Sequence, residues 1–429
     1  MAQRGIREYH GKAILQRNWS DYLGEGLKYP FRAVLVGPET DLSSLPEEHP
    51  WLQEERLVVK PDQLFGKRGK HGLVYVNRSW DEVRAWIEEH RGKRVRIGEV
   101  EGVLTHFLVE PFVPHSQDEE RYLAMTTGEE GDKVYLSASG GVDIEELWDR
   151  VVEVEVPTSA SPEEAEELIR QAVPEIPERE RFGELAAGLY RLFCDLHFAY
   201  LELNPVVLKG NEVHPLDLVA RLDDTASFLV GKRWGEIEFP APFGRELTPE
   251  EKFVKDLDEK SGASLKLTIL NPEGRIWTLV AGGGASVVYT DTIADLGAAG
   301  ELANYGEYSG NPTTSETYAY ARTVLDLMTR KPDPQGRPKI LLIGGGIANF
   351  TDVSKTFDGI IKALREYADR LKEVGVRIYV RRGGPGYREG LQRIKEACEE
   401  LGLPCRVYGP ELHMTAIVPM ALKEAKDAA

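Results

Sequence analysis

The pattern of apolar and polar positions divides the chain into two parts with different rhythms. In the first part, short apolar or alternating runs lie between segments rich in glycine, proline and charged residues, which is typical of strands joined by loops. A capping box at Ser79 and Glu82, and a serine–proline pair at 161–162, predict helix starts, and 179–195 predicts a longer helix. The predicted strands are residues 32–36, 56–60, 72–76, 103–113, 199–208 and 212–218, and 121–139 predicts a hairpin.

A proline- and glycine-containing segment at 237–245 interrupts regular structure. We therefore predict two domains, residues 1–240 and 241–429. Beyond the boundary, apolar runs alternate mostly with helical segments, which favours an α/β fold with a doubly wound parallel sheet. The predicted strands of this sheet are residues 265–270, 276–280, 339–343, 377–380 and 405–408.

Composition and charge narrow the class of protein. The 429 residues are 41% hydrophobic and 29% charged, which is typical of a globular chain with a sizeable core. A formal net charge of −18 argues against a nucleic-acid-binding surface. No run is long enough to cross a bilayer, and the N-terminus lacks an apolar signal core, so we expect a cytoplasmic protein with no membrane association. The three cysteines share no Cys-x-x-Cys spacing, which favours reduced thiols over a metal cluster.

Two predicted strands of the second domain end in glycine triplets, at 282–284 and 344–346. Ligands of open parallel sheets bind beyond the carboxyl ends of the strands, where helix N-termini favour a negative group. Asn349 and Thr351 add side-chain donors after the second triplet, and a third strand ends in two arginines at 381–382. Arginine suits bidentate recognition of carboxylates, so the pattern predicts a site for a phosphate or a polycarboxylate.

The alternative is that these are ordinary tight turns, which are common where a strand leads into a helix. Two triplets and an arginine pair, all at strand ends, favour the site. The spacing does not fit a dinucleotide fingerprint, so NAD is not indicated. A glycine-bearing loop predicted at 305–310 adds a fourth segment that could converge there.

A second set of residues in the first domain indicates nucleotide chemistry. Lys60 ends a strand and is followed by a glycine-rich basic loop to residue 71, which suits phosphates although it is not a Walker A motif. Asn204 and Asp217, predicted on successive strands, are the hard oxygen ligands that Mg²⁺ prefers. The alternative is a solvated basic surface and a simple turn at Asn204–Pro205.

These motifs resemble a known family. The strand-end lysine, the glycine-rich loop, Glu-Pro-Phe-Val at 110–113 and Leu-Glu-Leu-Asn-Pro at 201–205 resemble the ATP-grasp half of the ADP-forming acyl-CoA synthetases. Longer strings, among them Asp-Glu-Lys-Ser-Gly-Ala-Ser-Leu-Lys-Leu-Thr at 258–268 and Val-Ala-Gly-Gly-Gly-Ala-Ser-Val-Val-Tyr at 280–289, resemble the N-terminal half of ATP-citrate lyases. That half is equivalent to the ATP-grasp subunit of split citrate lyases and of citryl-CoA synthetase. The resemblance runs from about residue 14 to 422.

The resemblance implies an ATP-grasp domain followed by a flavodoxin-like domain, with ATP and Mg²⁺ as cofactors. It implies contacts to the ATP phosphates from Lys60, Arg68 and Gly69, to adenine from the Pro111 and Val113 backbone, and to ribose from Glu120. It implies a catalytic Mg²⁺ at Asn204 and Asp217, and a second metal site at Asp258, Ser261 and the Ala263 carbonyl. For citrate it implies Gly310, Gly345, Gly346, Asn349, Phe350, Thr351, Tyr367 and Arg382. Gly346 departs from animal forms of the family, which carry Ser there.

The family reaction runs through a phosphohistidine that this chain does not match, so no catalytic residue is assigned here. His413, near a helix start, is expected to be structural. We therefore expect a hetero-oligomer with a second subunit that carries the phosphohistidine, most of the CoA site and, in a lyase, the citrate-synthase-like module that cleaves citryl-CoA.

Two alternatives remain. One is a succinyl-CoA-synthetase-type ligase for another acid, and the other is a non-catalytic subunit that senses ATP or citrate. The sequence does not distinguish release of citryl-CoA from cleavage to acetyl-CoA and oxaloacetate.

Overall fold

The computed structural model describes residues 3–141, 148–347 and 351–427, with side chains up to residue 423. The chain divides into two compact units, Met1–Glu246 and Leu247–Ala429. Among the described helices, none is long and apolar enough to span a membrane.

The first unit contains a seven-stranded antiparallel sheet covered on one face by helices. Its strands run in the order β1-β13-β11-β8-β9-β10, and β12 pairs with β11. These strands are β1 (Gln3–Ile6), β8 (Arg121–Thr126), β9 (Gly131–Ser137), β10 (Val152–Pro157), β11 (Phe198–Lys209), β12 (Glu212–Pro215) and β13 (Leu218–Asp223). The helices are α1 (Glu8–Leu23), α5 (Pro162–Ala172), α6 (Arg179–Asp195) and α7 (Ser227–Trp234).

A second, four-stranded sheet of this unit has its own core and runs in the order β2-β7-β3-β4. A two-stranded hairpin, β5-β6, accompanies it. The elements are β2 (Val34–Val36), α2 (Leu45–Glu48), α3 (Trp51–Glu54), β3 (Leu57–Pro61), β4 (Tyr75–Arg78), α4 (Trp80–His90), β5 (Arg94–Ile97), β6 (Val100–Val103) and β7 (Phe107–Pro111).

The second unit is a six-stranded sheet in the order β14-β16-β15-β17-β18-β19. Its strands are β14 (Ser264–Ile269), β15 (Ile276–Ala281), β16 (Asn304–Ser309), β17 (Ile340–Gly345), β18 (Arg377–Arg381) and β19 (Cys405–Tyr408). The helices are α8 (Pro249–Lys260), α9 (Gly283–Ile293), α10 (Thr314–Thr329), α11 (Val353–Glu366), α12 (Ala368–Glu373), α13 (Tyr387–Leu401) and α14 (Ile417–Asp427).

Alternate residues of the central strands face two different cores, which makes this sheet doubly wound. Leu341 and Ile343 of β17 pack in the core that includes α10, α11 and α13, whereas Ile340 and Leu342 pack in the core that includes α9 and α14. The five parallel strands have the flavodoxin-type order 2-1-3-4-5. The α/β prediction for the second part of the chain is therefore confirmed.

Three details of the sequence prediction are wrong. Most of the loop predicted at 305–310 belongs to β16 (Asn304–Ser309), which runs parallel to β15. The strand predicted at 265–270 is β14, which pairs antiparallel with β16 at the edge of the sheet. Asp217 does not lie in a strand but directly before β13, because β12 ends at Pro215.

Candidate functional site

A buried cluster of charges joins both sheets of the first unit. Lys60, at the end of β3, lies 3.5 Å from the carboxylate of Asp217 and also contacts the Leu216 carbonyl at 2.6 Å. Arg68, in the turn of the basic loop, also pairs with Asp217 and bonds the Pro61 carbonyl at 2.9 Å. The structure therefore brings together the predicted phosphate-binding cations and a predicted magnesium ligand, although these residues are up to 157 positions apart in sequence.

Three further charged residues complete this cluster, none of them assigned from the sequence. Glu8 contacts Lys60 at 2.6 Å and Arg68 at 2.7 Å. Lys12 bonds both Glu8 and Glu110 at 2.8 Å. The only sequence signal was the four-residue spacing of Glu8 and Lys12, which places them on one helix face.

The cluster shifts the protonation of its members. Burial opposes ionisation of Glu8, but Lys12, Lys60 and Arg68 together hold its pKa well below the usual range. Burial raises the pKa of Asp217 and of Glu110 despite the neighbouring cations. Burial would also lower the pKa of Lys12, but Glu110 and Glu8 raise it, so Lys12 is charged at neutral pH.

Asn204 of β11 lies beside Asp217, which directly precedes the neighbouring strand β13. Its backbone N–H donates to the Asp217 carbonyl at 3.1 Å, and its side-chain oxygen accepts a hydrogen bond of 2.7 Å from the Gly141 N–H. Gly69 lies in the turn next to Arg68, where its carbonyl accepts from Gly72. The predicted magnesium ligands and phosphate contacts thus occupy one region of the first unit.

The predicted adenine and ribose contacts follow β7. Pro111 ends this strand, and the Val113 carbonyl accepts a hydrogen bond of 2.7 Å from the His115 ring. The other ring nitrogen of His115 lies 3.2 Å from Glu120. Burial raises the pKa of Glu120, and a Cβ at Gly141 would lie 2.2 Å from its carboxylate. His115 therefore links two of the predicted contacts, which the sequence did not indicate.

In the second unit, the predicted anion-binding residues meet at the carboxyl edge of the parallel sheet. Ala281 of β15 lies level with Tyr308 of β16 on one side and with Gly345 of β17 on the other. Gly310 follows β16, and Arg382 follows β18. This edge also contains Gly346, which has open space around it.

The two arginines at this edge have different surroundings. Arg381 donates to the carbonyls of Gly345, Leu412 and Pro410 at 2.9–3.3 Å. Arg382 is only 1% exposed, and its Nη1 bonds the Gly346 carbonyl at 3.2 Å. Its Nε and Nη2 are buried without a hydrogen-bond partner among the residues that the structure describes.

Arg382 has polar groups around it but no salt-bridge partner among the described residues. Within residues 3–141, 148–347 and 351–427, neither Arg381 nor Arg382 forms a salt bridge with a carboxylate. The Tyr308 hydroxyl is also buried without a partner; burial raises its pKa, which the nearby Arg382 partly offsets. A buried guanidinium without a counter-charge is costly, so this region is suited to an anion.

The start of α11 differs from the simple anion site expected there. Asp352 caps this helix, and its carboxylate accepts from the Ser354 and Lys355 N–H groups. Two N–H groups expected to face an anion are therefore already bound. Thr351 is buried directly before the cap, whereas Asn349 and Phe350 lie outside the described residues.

Two groups of predicted residues do not assemble as expected. Tyr367 lies just after α11, about 21 Å along the helix from its start, with its hydroxyl 3.5 Å from Asp326. Asp258 accepts hydrogen bonds from Leu265 N–H and Lys266, at 2.7 and 2.5 Å. Ser261 accepts from the Ala263 N–H at 2.9 Å, which closes the turn. Because the Asp258 and Ser261 oxygens already accept hydrogen bonds, the structure does not favour the second metal site.

No group of three or more His, Cys, Asp or Glu suited to a metal occurs within the described part of the chain. His413 lies 3.0 Å from the Thr415 hydroxyl in the turn before α14, which fits the structural role expected for it.

Comparison with known proteins decides the family. A family model described as the ATP-citrate synthase ATP-grasp domain matches residues 2–234, and a second, ATP citrate lyase citrate-binding, matches residues 245–424. The chain belongs to the ATP-citrate synthase family. The resemblance found in the sequence is thereby confirmed.

Individual members of the ATP-citrate synthase family match over nearly the whole chain. ATP-citrate synthase alpha chain protein 2 of Arabidopsis thaliana is 48% identical, with full coverage of both chains. The Bos taurus ATP-citrate synthase is 49% identical over 98% of this chain, which spans 38% of that protein's length. A solved structure of ATP citrate lyase from Methanothrix soehngenii, in complex with citrate and coenzyme A, has a TM-score of 0.88 and 50% identity, covering 98% of this chain and 100% of that one.

Proposed function

We propose that this chain is the ATP- and citrate-binding subunit of an ADP-forming citrate–CoA ligase or lyase, acting in the cytoplasm with a second subunit. The observation that carries the proposal is the buried charge of Arg382, which has no counter-charge among the described residues. Its Nε and Nη2, without a described partner, lie on one edge of the guanidinium, the arrangement that binds a carboxylate through two parallel hydrogen bonds. Citrate, with three carboxylates, supplies such a group, and the similar Methanothrix enzyme was solved in complex with citrate.

The remaining citrate contacts come from the same sheet edge. Gly310, Gly345 and Gly346 allow close approach of the backbone, and Thr351 supplies a hydroxyl. Asn349 and Phe350 belong to the proposed site by resemblance alone. Arg381 acts indirectly, because its hydrogen bonds hold the backbone on which Arg382 and the glycines are placed.

Nucleotide binding is assigned to the cluster in the first unit. Lys60, Arg68 and Gly69 bind the phosphates, and Asn204 and Asp217 hold Mg²⁺. The donor set fits this ion, because Asp217, with a carboxylate beside two cations, and Asn204, with an amide oxygen, are joined by a backbone hydrogen bond. Mg²⁺ supplies charge neutralisation on the phosphate oxygens when it is bound. The Pro111 and Val113 backbone and the Glu120 carboxylate hold adenine and ribose.

Catalysis by this chain consists of positioning and electrostatics rather than covalent chemistry. The residue that carries the phosphoryl group is a histidine of the partner, which passes it to citrate to give citryl phosphate. The thiol of CoA, bound mainly by the partner, then attacks the acyl carbon of citryl phosphate and displaces inorganic phosphate, which gives citryl-CoA. Whether citryl-CoA is released or cleaved to acetyl-CoA and oxaloacetate depends on the partner.

Transfer of labelled phosphate tests this function. Purified chain, partner subunit and Mg²⁺ with γ-labelled ATP should give an acid-labile, base-stable label on the partner, and added citrate should discharge it. The same partner without this chain should stay unlabelled. A chain that binds ATP and citrate but never labels the partner would instead be a sensing subunit.

A further inference from the structure

Three cations converge on one buried carboxylate beside the proposed phosphate site. One oxygen of Glu8 lies 2.6 Å from the Lys60 ammonium and 2.8 Å from that of Lys12, and the other lies 2.7 Å from Arg68. The Glu8 and Lys12 side chains are only 2% and 1% exposed. The Lys12 ammonium is already bound to Glu8, Glu110 and the Leu216 carbonyl, and the Glu8 carboxylate is bound to cations, so neither is expected to be a direct ligand of the nucleotide.

The backbone around Glu8 is hydrogen-bonded to the residue that follows the strand carrying Lys60. Asp62, two residues after Lys60, accepts hydrogen bonds from the Glu8 and Tyr9 N–H groups at 2.7 and 3.0 Å. Arg7 donates to the Asp62 carbonyl at 2.9 Å. The first turn of α1 and the end of β3 are thus held together, which fixes the position of the Glu8 carboxylate relative to the lysine.

The charges of the cluster balance without a ligand. Three positively charged side chains (Lys12, Lys60 and Arg68) pair with three negatively charged ones (Glu8, Glu110 and Asp217). If Asp217 holds Mg²⁺, it no longer neutralises Lys60 and Arg68, which then face the phosphates. Glu8 remains their fixed partner on the buried side. A lysine ammonium is a point charge on a flexible stem, so its direction depends on such a partner.

We propose that Glu8 is a positioning residue for the nucleotide phosphates, with Lys12 as its internal counter-charge. Glu8 holds Lys60 and Arg68 from the buried side and leaves their remaining donors directed at the phosphates. Lys12 is shared between Glu8 and Glu110, so it keeps Glu8 ionised without competing for phosphate. This inference rests on the nucleotide-binding role proposed above.

Comparing ATP with adenosine tests the role, because adenosine keeps the base and ribose but has no phosphates. In the full-length chain, Glu8→Gln removes the charge and keeps the shape. We expect ATP to bind at least about ten-fold more weakly, the effect of losing a charge-assisted hydrogen bond. Adenosine binding should be unchanged. Glu8→Asp, which keeps the charge but shortens the side chain, should give an intermediate loss for ATP alone.

The matched control is Glu251→Gln, another buried glutamate in the first turn of a helix, in the second unit. It should change neither affinity. Wild-type affinity for ATP in Glu8→Gln would overturn the inference, and so would equal losses of ATP and adenosine, which indicate a purely structural role. If the unmodified chain bound ATP no more tightly than adenosine, the proposed phosphate site itself would be contradicted, and this inference with it.

Discussion

Two neighbouring arginines show how the same residue type serves different purposes. Arg381 and Arg382 are both buried, but Arg381 is bound to three carbonyls whereas two nitrogens of Arg382 have no described partner. Their sequence position predicted a cationic edge. It could not predict which guanidinium is free for a ligand, because that depends on where the Leu412 and Pro410 carbonyls lie after folding.

Replacing each arginine by methionine should separate the two roles. Arg382→Met should weaken citrate binding at least about 100-fold, since two charge-assisted hydrogen bonds worth about 1.5–3 kcal/mol each are removed. It should not lower the melting temperature measured without citrate, because it removes a buried charge that has no counter-charge among the described residues. Calorimetric titration and thermal unfolding measure the two effects.

Arg381→Met serves as the comparison. One buried and two partly buried carbonyls lose their donor, so the free energy of unfolding should fall by about 2–4 kcal/mol. Equal destabilisation by the two substitutions would contradict the distinction between them.

Asp62 should lower the free energy of unfolding as the pH rises. Burial and the charge of Glu8 raise its pKa to about 6 in the folded state, above the usual value near 4. The folded state therefore holds the proton more tightly. Protonated Asp62 therefore increases the free energy of unfolding by about 3 kcal/mol for a pKa shift of this size. This contribution is complete below pH 4 and is lost as the pH rises through about 6.

Urea unfolding of wild type and Asp62→Asn between pH 4 and 7 measures this effect. The variant loses one acceptor for the α1 N–H groups at every pH. Its free energy of unfolding should nevertheless increase relative to that of the wild type as the pH rises. A difference between the two proteins that stays constant over this range would contradict the pKa shift.

At the scale of elements, the turn from β17 into α11 depends on which glycine is altered. A Cβ at Gly345 would lie 2.7 Å from Arg382 Nη1 and 3.1 Å from the Ala281 carbonyl, whereas at Gly346 it would meet nothing within 4 Å. Gly345→Ala should therefore displace the guanidinium, weakening citrate binding about ten-fold and destabilising the fold by about 1–3 kcal/mol. Gly346→Ala should be much milder in both respects. Identical citrate affinities for the two variants would contradict this geometry.

Elements set by local chemistry were predicted well. The helices at Ser79 and Ser161 begin at capping boxes whose hydrogen bonds lie within four residues. In contrast, β16 looked like a loop because of Gly306, which is there because a Cβ would lie 2.4 Å from both the Lys266 carbonyl and the Tyr320 hydroxyl. Helix α1 was missed because it buries Glu8 and Lys12, which interrupt the apolar stripe.

The sequence predicted which residues belong to the candidate site, but it did not predict which of them contact each other. Lys60, Arg68, Asn204 and Asp217 carry recognisable chemistry in sequence, and the fold brings them together. Glu8 could not be found in this way, because its role comes from contacts with residues 52 and 60 positions away.

At the scale of the whole molecule, the tasks proposed for the two units should be uncoupled by single substitutions. Asp217→Ala should abolish Mg²⁺- and ATP-dependent labelling of the partner, because it removes a proposed ligand of the ion and a partner of Arg68. Citrate binding to the second unit should be unchanged. Loss of both functions would mean that the substitution disrupts the fold or that the tasks are not divided in this way.

Calorimetric titration tests the central claim most directly. The purified wild-type chain and Arg382→Met are each titrated with citrate and then with succinate. We expect citrate to bind the wild type, succinate to bind far more weakly, and the substitution to weaken citrate binding at least about 100-fold while ATP affinity is unchanged. Equal affinity for the two acids, or unchanged citrate binding in Arg382→Met, would contradict the assignment of this chain as the citrate-binding subunit.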